Sequence, residues 1–276
     1  EIESEKLYKV GITSIGASPG NTNVINGQMA VFKTYGKNIN EMMVKESAGL
    51  KCSVTTSIKS AYGEKNIFPK TKMGIFNILD STFKKVEALD KGIKAKEIVI
   101  KKVLNKEMPV FVTANTKAEI DAVINIMEKH DINYIICNAY QANRCITKIK
   151  SSKASIVIGE QIYLSRGLNN DTDLNEIANI HKQGKLVSIT MTPESYGTGR
   201  EKYLWNVIEL YKAGINSEDV LKMMTIYPAK MLGVDNVIGS LEEGKEADIV
   251  IFDGDPLEIR TNVQTTIIKG KIAYQS

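Results

Sequence analysis

"MPVFVTANTKAEIDAVINIMEKHD", Met108 to Asp131, holds one complete unit of the fold. Met108–Asn115 is a short apolar run of β character, and the stretch from Thr116 carries apolar residues at helical spacing. Thr116 is placed to cap the helix, with Glu119 three positions on as the second half of a capping box.

The same unit recurs downstream. "INYIICNA" (Ile132–Ala139) precedes the helix-like "YQANRCITKIKSS". "ASIVIGE" (Ala154–Glu160) precedes "DTDLNEIANIHKQG", which closes on Gly184. "KLVSITMT" (Lys185–Thr192) precedes "REKYLWNVIELYKAG", which closes on Gly214. Strands and helices alternating in this way predict parallel strands joined by right-handed crossovers. The open doubly wound sheet and the (β/α)8 barrel both satisfy that pattern. No GxGxxG or GxxxxGK[ST] follows any of the strands, and the absence favours the barrel.

Upstream the pattern loosens. The sequence predicts a strand at Gly11–Ile15, a polar loop over Ser18–Gln28, and a helix with Ile75, Ile78, Leu79 and Phe83 on one face. A further helix is predicted in "AKEIVIKKVLNKEM". The loop offers Asn21, Asn23, Asn26 and Gln28. These side chains serve either a carbonyl or carboxylate ligand or local Asx-turn and left-handed geometry, and the sequence leaves both open.

Composition is that of an ordinary globular protein. The 36 Lys and Arg are interleaved with 32 Asp and Glu, a mixed surface rather than the basic stripe that nucleic acid requires. The three cysteines, Cys52, Cys137 and Cys145, have no CxxC spacing and predict a reduced, cytoplasmic chain. No apolar run approaches the roughly 18 residues of a membrane span, so no membrane partner is expected.

The closing third supplies a resemblance. "AGINSEDVLKMMTIYPAKMLGVDNVIGSLEEGKEADIVIFDGDPLEIRTNVQTTIIKGKIAY" resembles the C-terminal module of the amidohydrolase superfamily, carried by Thr225, Pro228, Ala229, Leu232, Gly233, Gly239, Leu241, Gly244, Ala247, Asp248 and Asp253–Pro256. "SPGNTNVINGQMAVFKTYGKNINEMMVKESAGLK", "YGEK" and "KTKMG" are similar to the imidazolonepropionase-like branch. The resemblance runs from about Val10 to Tyr274. It implies an α/β fold: a TIM barrel of the amidohydrolase type over 1–232, and C-terminal strands of a composite β-sandwich over 233–276. The sandwich strands and the His-x-His strand with which such proteins begin are expected to be absent or to lie on a segment beyond this chain. The exposed sandwich edge would then pair with a second copy or an N-terminal fragment.

The resemblance also implies hydrolysis of a C–N bond in a cyclic amide by water on zinc or another divalent ion. This chain departs from it at four places where a ligand or the proton-handling Asp is expected. Thr56 stands where a Glu is expected. Thr113 and Asn115 stand at one His strand end, Cys137 and Asn138 at another, and Thr192 at the Asp position. The two histidines, His130 and His181, fall late in helices, where they complement the helix dipole at the end remote from a barrel mouth. The sequence therefore predicts a catalytically degenerate protein with no metal or other cofactor and no assigned catalytic residue. The expected ligand is a small polar molecule, held by Asn21, Asn23, Gln28, Thr113, Asn115, Asn138 and Thr192. Lys33 is a further candidate if desolvated, its default being a solvated or salt-bridged side chain. The alternative is an active hydrolase whose metal ligands come from another segment or a partner chain.

Overall fold

The computed structural model describes residues 4–89, 94–159, 173–190, 207–258 and 260–276. In chain order they form α1 (Ser4–Tyr8), β1 (Ser14–Ala17), β2 (Ile25–Lys33), α2 (Ile39–Met42), β3 (Met43–Ser53), α3 (Thr56–Gly63), α4 (Lys72–Glu87) and α5 (Ala95–Leu104). There follow β4 (Val110–Ala114), α6 (Lys117–Lys129), β5 (Tyr134–Asn138), α7 (Ile146–Ser151), β6 (Ser155–Ile158), α8 (Leu174–Lys182) and β7 (Val187–Ile189). A helical stretch α9 over 207–212, α10 (Ser217–Met224), α11 (Ile226–Leu232), β8 (Ile249–Phe252), β9 (Val263–Ile268) and β10 (Lys271–Gln275) complete the described chain.

Seven strands form one sheet in chain order, β1 to β7, and β10-β9-β8 form a second. From β3 to β7 every pairing is parallel, the wall of an incomplete (β/α)8 barrel. The outer face carries Leu50, Val112, Ile136, Ile156 and Val187, packed under Ile75, Leu79, Ile120 and Ile177 of the helices. Helix α4 presents Ile75, Leu79, Phe83 and Val86 to this core, and each such side chain contributes roughly 1.5–3 kcal/mol by leaving water. Thr116 and Glu119 form the expected capping box on α6.

The first fifty residues correct the sequence reading. The strand expected at Gly11–Ile15 begins at Ser14, because Gly11 turns the chain at φ +82°. The expected loop ends at Val24, and Ile25–Gln28 already belong to β2. Strands β1, β2 and β3 are antiparallel, since connections as short as residues 18–24 and 34–42 cannot return a chain in parallel; that takes about a dozen residues. No helix among the described residues is long and apolar enough to cross a membrane.

Candidate functional site

The pattern of β3 builds the site. Leu50, Cys52 and Val54 lie in the outer core, so the alternating Lys51, Ser53 and Thr55 belong to the inner face. Parallel register sets Lys51 beside Phe111, Ser53 beside Thr113, and Thr113 beside Cys137. Phe111 and Ile135 pack with Met29 and Met231, and Cys137 and Val157 border that cluster. The inner face is therefore apolar toward the strand starts and polar toward the strand ends.

There the side chains form one connected chain of hydrogen bonds. Lys51 Nζ donates to Thr113 Oγ1, which donates to Asn21 Oδ1 at 2.9 Å. The carbonyl of Asn21 accepts from Ser57 Oγ at 3.1 Å. Ser57 Oγ lies 2.6 Å from Thr55 Oγ1, itself 3.0 Å from Ser53 Oγ. Lys51, Ser53, Thr55 and Thr113 are all buried. One strand further, Asn138 Nδ2 donates to Asn115 Oδ1 at 3.3 Å. Asn138, the last residue of β5, and Ala139 after it have φ of +68° and +46°, a left-handed pair that Asn adopts readily and that costs Ala roughly 1–2 kcal/mol.

The structure thus joins Asn21 to Thr113, and Asn115 to Asn138. Asn23 is exposed, accepting from Tyr62 Oη at 2.8 Å and closing a turn with Asn26. Gln28 accepts from Ser47 Oγ at 2.6 Å on the antiparallel part of the sheet. Lys33 is remote from the others, held by Glu246 and Asp248. Thr56 is exposed at the start of α3, and its neighbour Thr55 enters the network instead. Thr192 lies outside the described residues. Lys51 and Ser53 were missed, although the two-residue alternation of "GLKCSVT" placed both opposite the apolar face.

Neither histidine reaches this end. His130 caps α6 with Nδ1 2.6 Å from Glu87 and Nε2 2.9 Å from Asp80, and His181 Nε2 is 3.2 Å from Asp219. Burial pushes the Cys137 thiol up, and the nearby Lys51 charge only partly opposes it. A thiol kept protonated, with no imidazole beside it, is a poor nucleophile. The carboxylate of Glu119, just past β4, is occupied by the backbone amides of Asn115 and Thr116 and by Lys72.

The divalent ion that the family resemblance implies does not fit this set. Among the described residues the inner strand ends supply hydroxyls, carboxamides and a protonated thiol around an ammonium, which repels a dication. Among the described residues no three His, Cys, Asp or Glu side chains converge as a metal site.

Comparison with known proteins agrees with the architecture. The model of the amidohydrolase family matches residues 172–273. An amidohydrolase from Thermotoga maritima superposes with a TM-score of 0.89 at 28% identity, over 99% of this chain and 74% of that one. The N-acetylgalactosamine-6-phosphate deacetylase of Escherichia coli O157:H7 is 38% identical over 68 residues, 25% of this chain and 16% of that protein. A 5-methylthioadenosine/S-adenosylhomocysteine deaminase of Symbiobacterium thermophilum is 33% identical over 72 residues, 21% of this chain and 16% of that protein. The matches span between 15% and 36% of the lengths of these curated relatives. Residues 172–273 are thus similar to the amidohydrolase family, and the described chain shares the fold of the Thermotoga amidohydrolase.

Proposed function

We propose that this protein uses the amidohydrolase scaffold to bind a small polar molecule at the strand ends, without a divalent ion and without hydrolysing it. The observation that carries this reading is the hydrogen-bonded network from Lys51 through Thr113, Asn21 and Ser57 to Thr55 and Ser53, of which Lys51, Ser53, Thr55 and Thr113 are buried. It consists of neutral donors and acceptors around one fixed positive charge, a set suited to hydrogen-bonding a ligand and unsuited to activating water on a metal. The small sheet ends on β8 and β10, edges that a second copy or an N-terminal segment would extend.

Elemental analysis of the protein purified from its full-length gene tests the reading. The expected result is less than a tenth of an equivalent of zinc, iron or manganese after dialysis. One equivalent retained through dialysis against a chelator overturns it. That outcome would favour a second reading, which rests on the deacetylase and deaminase matches and on the quarter of the Thermotoga chain outside the superposition. In that reading the protein hydrolyses a non-peptide C–N bond with metal ligands supplied from elsewhere.

A further inference from the structure

Two buried lysines in this protein are treated in opposite ways. Lys33 is 0% exposed, and its ammonium lies 2.7 Å from Glu246 and 2.6 Å from Asp248. Lys51 is 6% exposed, and its ammonium has one hydrogen bond, to a hydroxyl. No carboxylate among the described residues pairs with it. Two of its three N–H donors are left without a protein acceptor there. An unpaired charge out of water costs several kcal/mol, so a fold keeps one only where something else neutralises it.

We infer that Lys51 is the anchor for the carboxylate of the small molecule bound at the strand ends. The inference rests on the function proposed above and narrows its ligand class to monocarboxylates. The position is built for such a group. Thr113 Oγ1 accepts from Lys51 and spends its own proton on Asn21, so it fixes the ammonium without neutralising it. The remaining two N–H groups match the two oxygens of one carboxylate. A single cation neutralises a monoanion and leaves a phosphate dianion half compensated. Behind the ammonium, Phe111, Ile135 and Met29 form an apolar floor that keeps water from screening the pair.

Acetate and acetamide test this as isosteric probes, titrated at constant ionic strength and followed by saturation-transfer NMR and by thermal shift. Acetate is expected to bind roughly ten-fold more tightly than acetamide, about the effect of one charge-assisted contact. Lys51→Gln should abolish the preference and Lys51→Arg should retain it. Lys51→Met should unfold at higher urea than the parent, because it removes an unpaired buried charge. Equal binding of both probes, or a flat response to both, overturns the carboxylate assignment. So does a Lys51→Met variant less stable than the parent, which would make Lys51 a structural residue. If acetamide binds as well as acetate and no metal is retained, the metal-free reading stands and only the assignment fails. A tightly held zinc equivalent removes both.

Discussion

Lys33 Nζ lies 2.6 Å from Asp248 Oδ2, joining the last residue of β2 to the residue before β8 across 215 positions of sequence. Asp248 also accepts from Ser14 Oγ at 3.3 Å and from the amide of Lys269 at 3.1 Å. One carboxylate therefore ties β1, β2 and the β9–β10 turn together, and fixes the small sheet against the large one. Replacing Asp248 with Asn keeps its shape but leaves the buried Lys33 ammonium to the half-exposed Glu246 alone. The expected loss is about 3 kcal/mol in urea unfolding. The double variant Lys33→Met, Asp248→Leu should lose less, because it leaves no stranded charge. Equal losses in the two would show that the pair's charge is irrelevant.

The parallel units were legible because a buried strand and the helix covering it each have a period. "VFVTA" and "YIICN" read as strands, and the capping box of Thr116 and Glu119 sits where the sequence put it. The antiparallel meander was not legible. Asn26, Gly27 and Gln28 have turn chemistry, and only pairing to β3, from Ile25 opposite Cys52 to Phe32 opposite Met43, makes them strand. The site was half legible for the same reason. Strand ends located Thr113, Asn115 and Asn138, whereas Lys51 requires knowing that Cys52 faces the helices.

Gly239 and Gly244 both turn the chain before β8, with φ of +102° and +88°. They differ in surroundings. A Cβ on Gly239 would stand 2.8 Å from Ala229 Cβ and 3.1 Å from Ile226 Cα, whereas one on Gly244 meets nothing within 4 Å. Both Ala variants carry the left-handed backbone cost of about 1–2 kcal/mol. Only Gly239→Ala adds an overpacking cost of roughly 1–3 kcal/mol. Gly239→Ala should therefore have the lower urea midpoint, and matched midpoints would contradict the packing seen here.

Asp131, in the turn after α6, is flanked by Lys106 and Lys153. Lys106 first, then Lys153, hold its carboxyl at about 2, below the ordinary aspartate range. A carboxyl depressed on folding stabilises the native state above its unfolded pKa, near 3.9, and the contribution disappears as pH falls toward 2. Asp131→Asn, which still suits the left-handed φ of +52°, should flatten the pH dependence of the urea midpoint between about pH 4 and pH 2. The difference should shrink in 0.5 M salt, because the group is exposed. A variant as pH-sensitive as its parent in that window would dismiss the pairing.

Cys137 reports on Lys51 directly. The thiol is half-buried and its pKa is raised, chiefly by burial, with the Lys51 charge acting in the opposite sense. Iodoacetamide reacts with thiolate, so alkylation of Cys137 should be slow at pH 7 and rise about ten-fold per pH unit toward pH 9. Cys52 and Cys145 are buried whereas Cys137 is partly exposed, so peptide mass mapping should find both slower than Cys137. Lys51→Met removes the one opposing charge. The Cys137 thiol should then rise further, and its alkylation rate at fixed pH should fall while Cys145 stays unchanged. A Lys51→Met protein in which Cys137 reacts faster would mean that the ammonium does not face the thiol, and that the inner face is arranged differently from the network described.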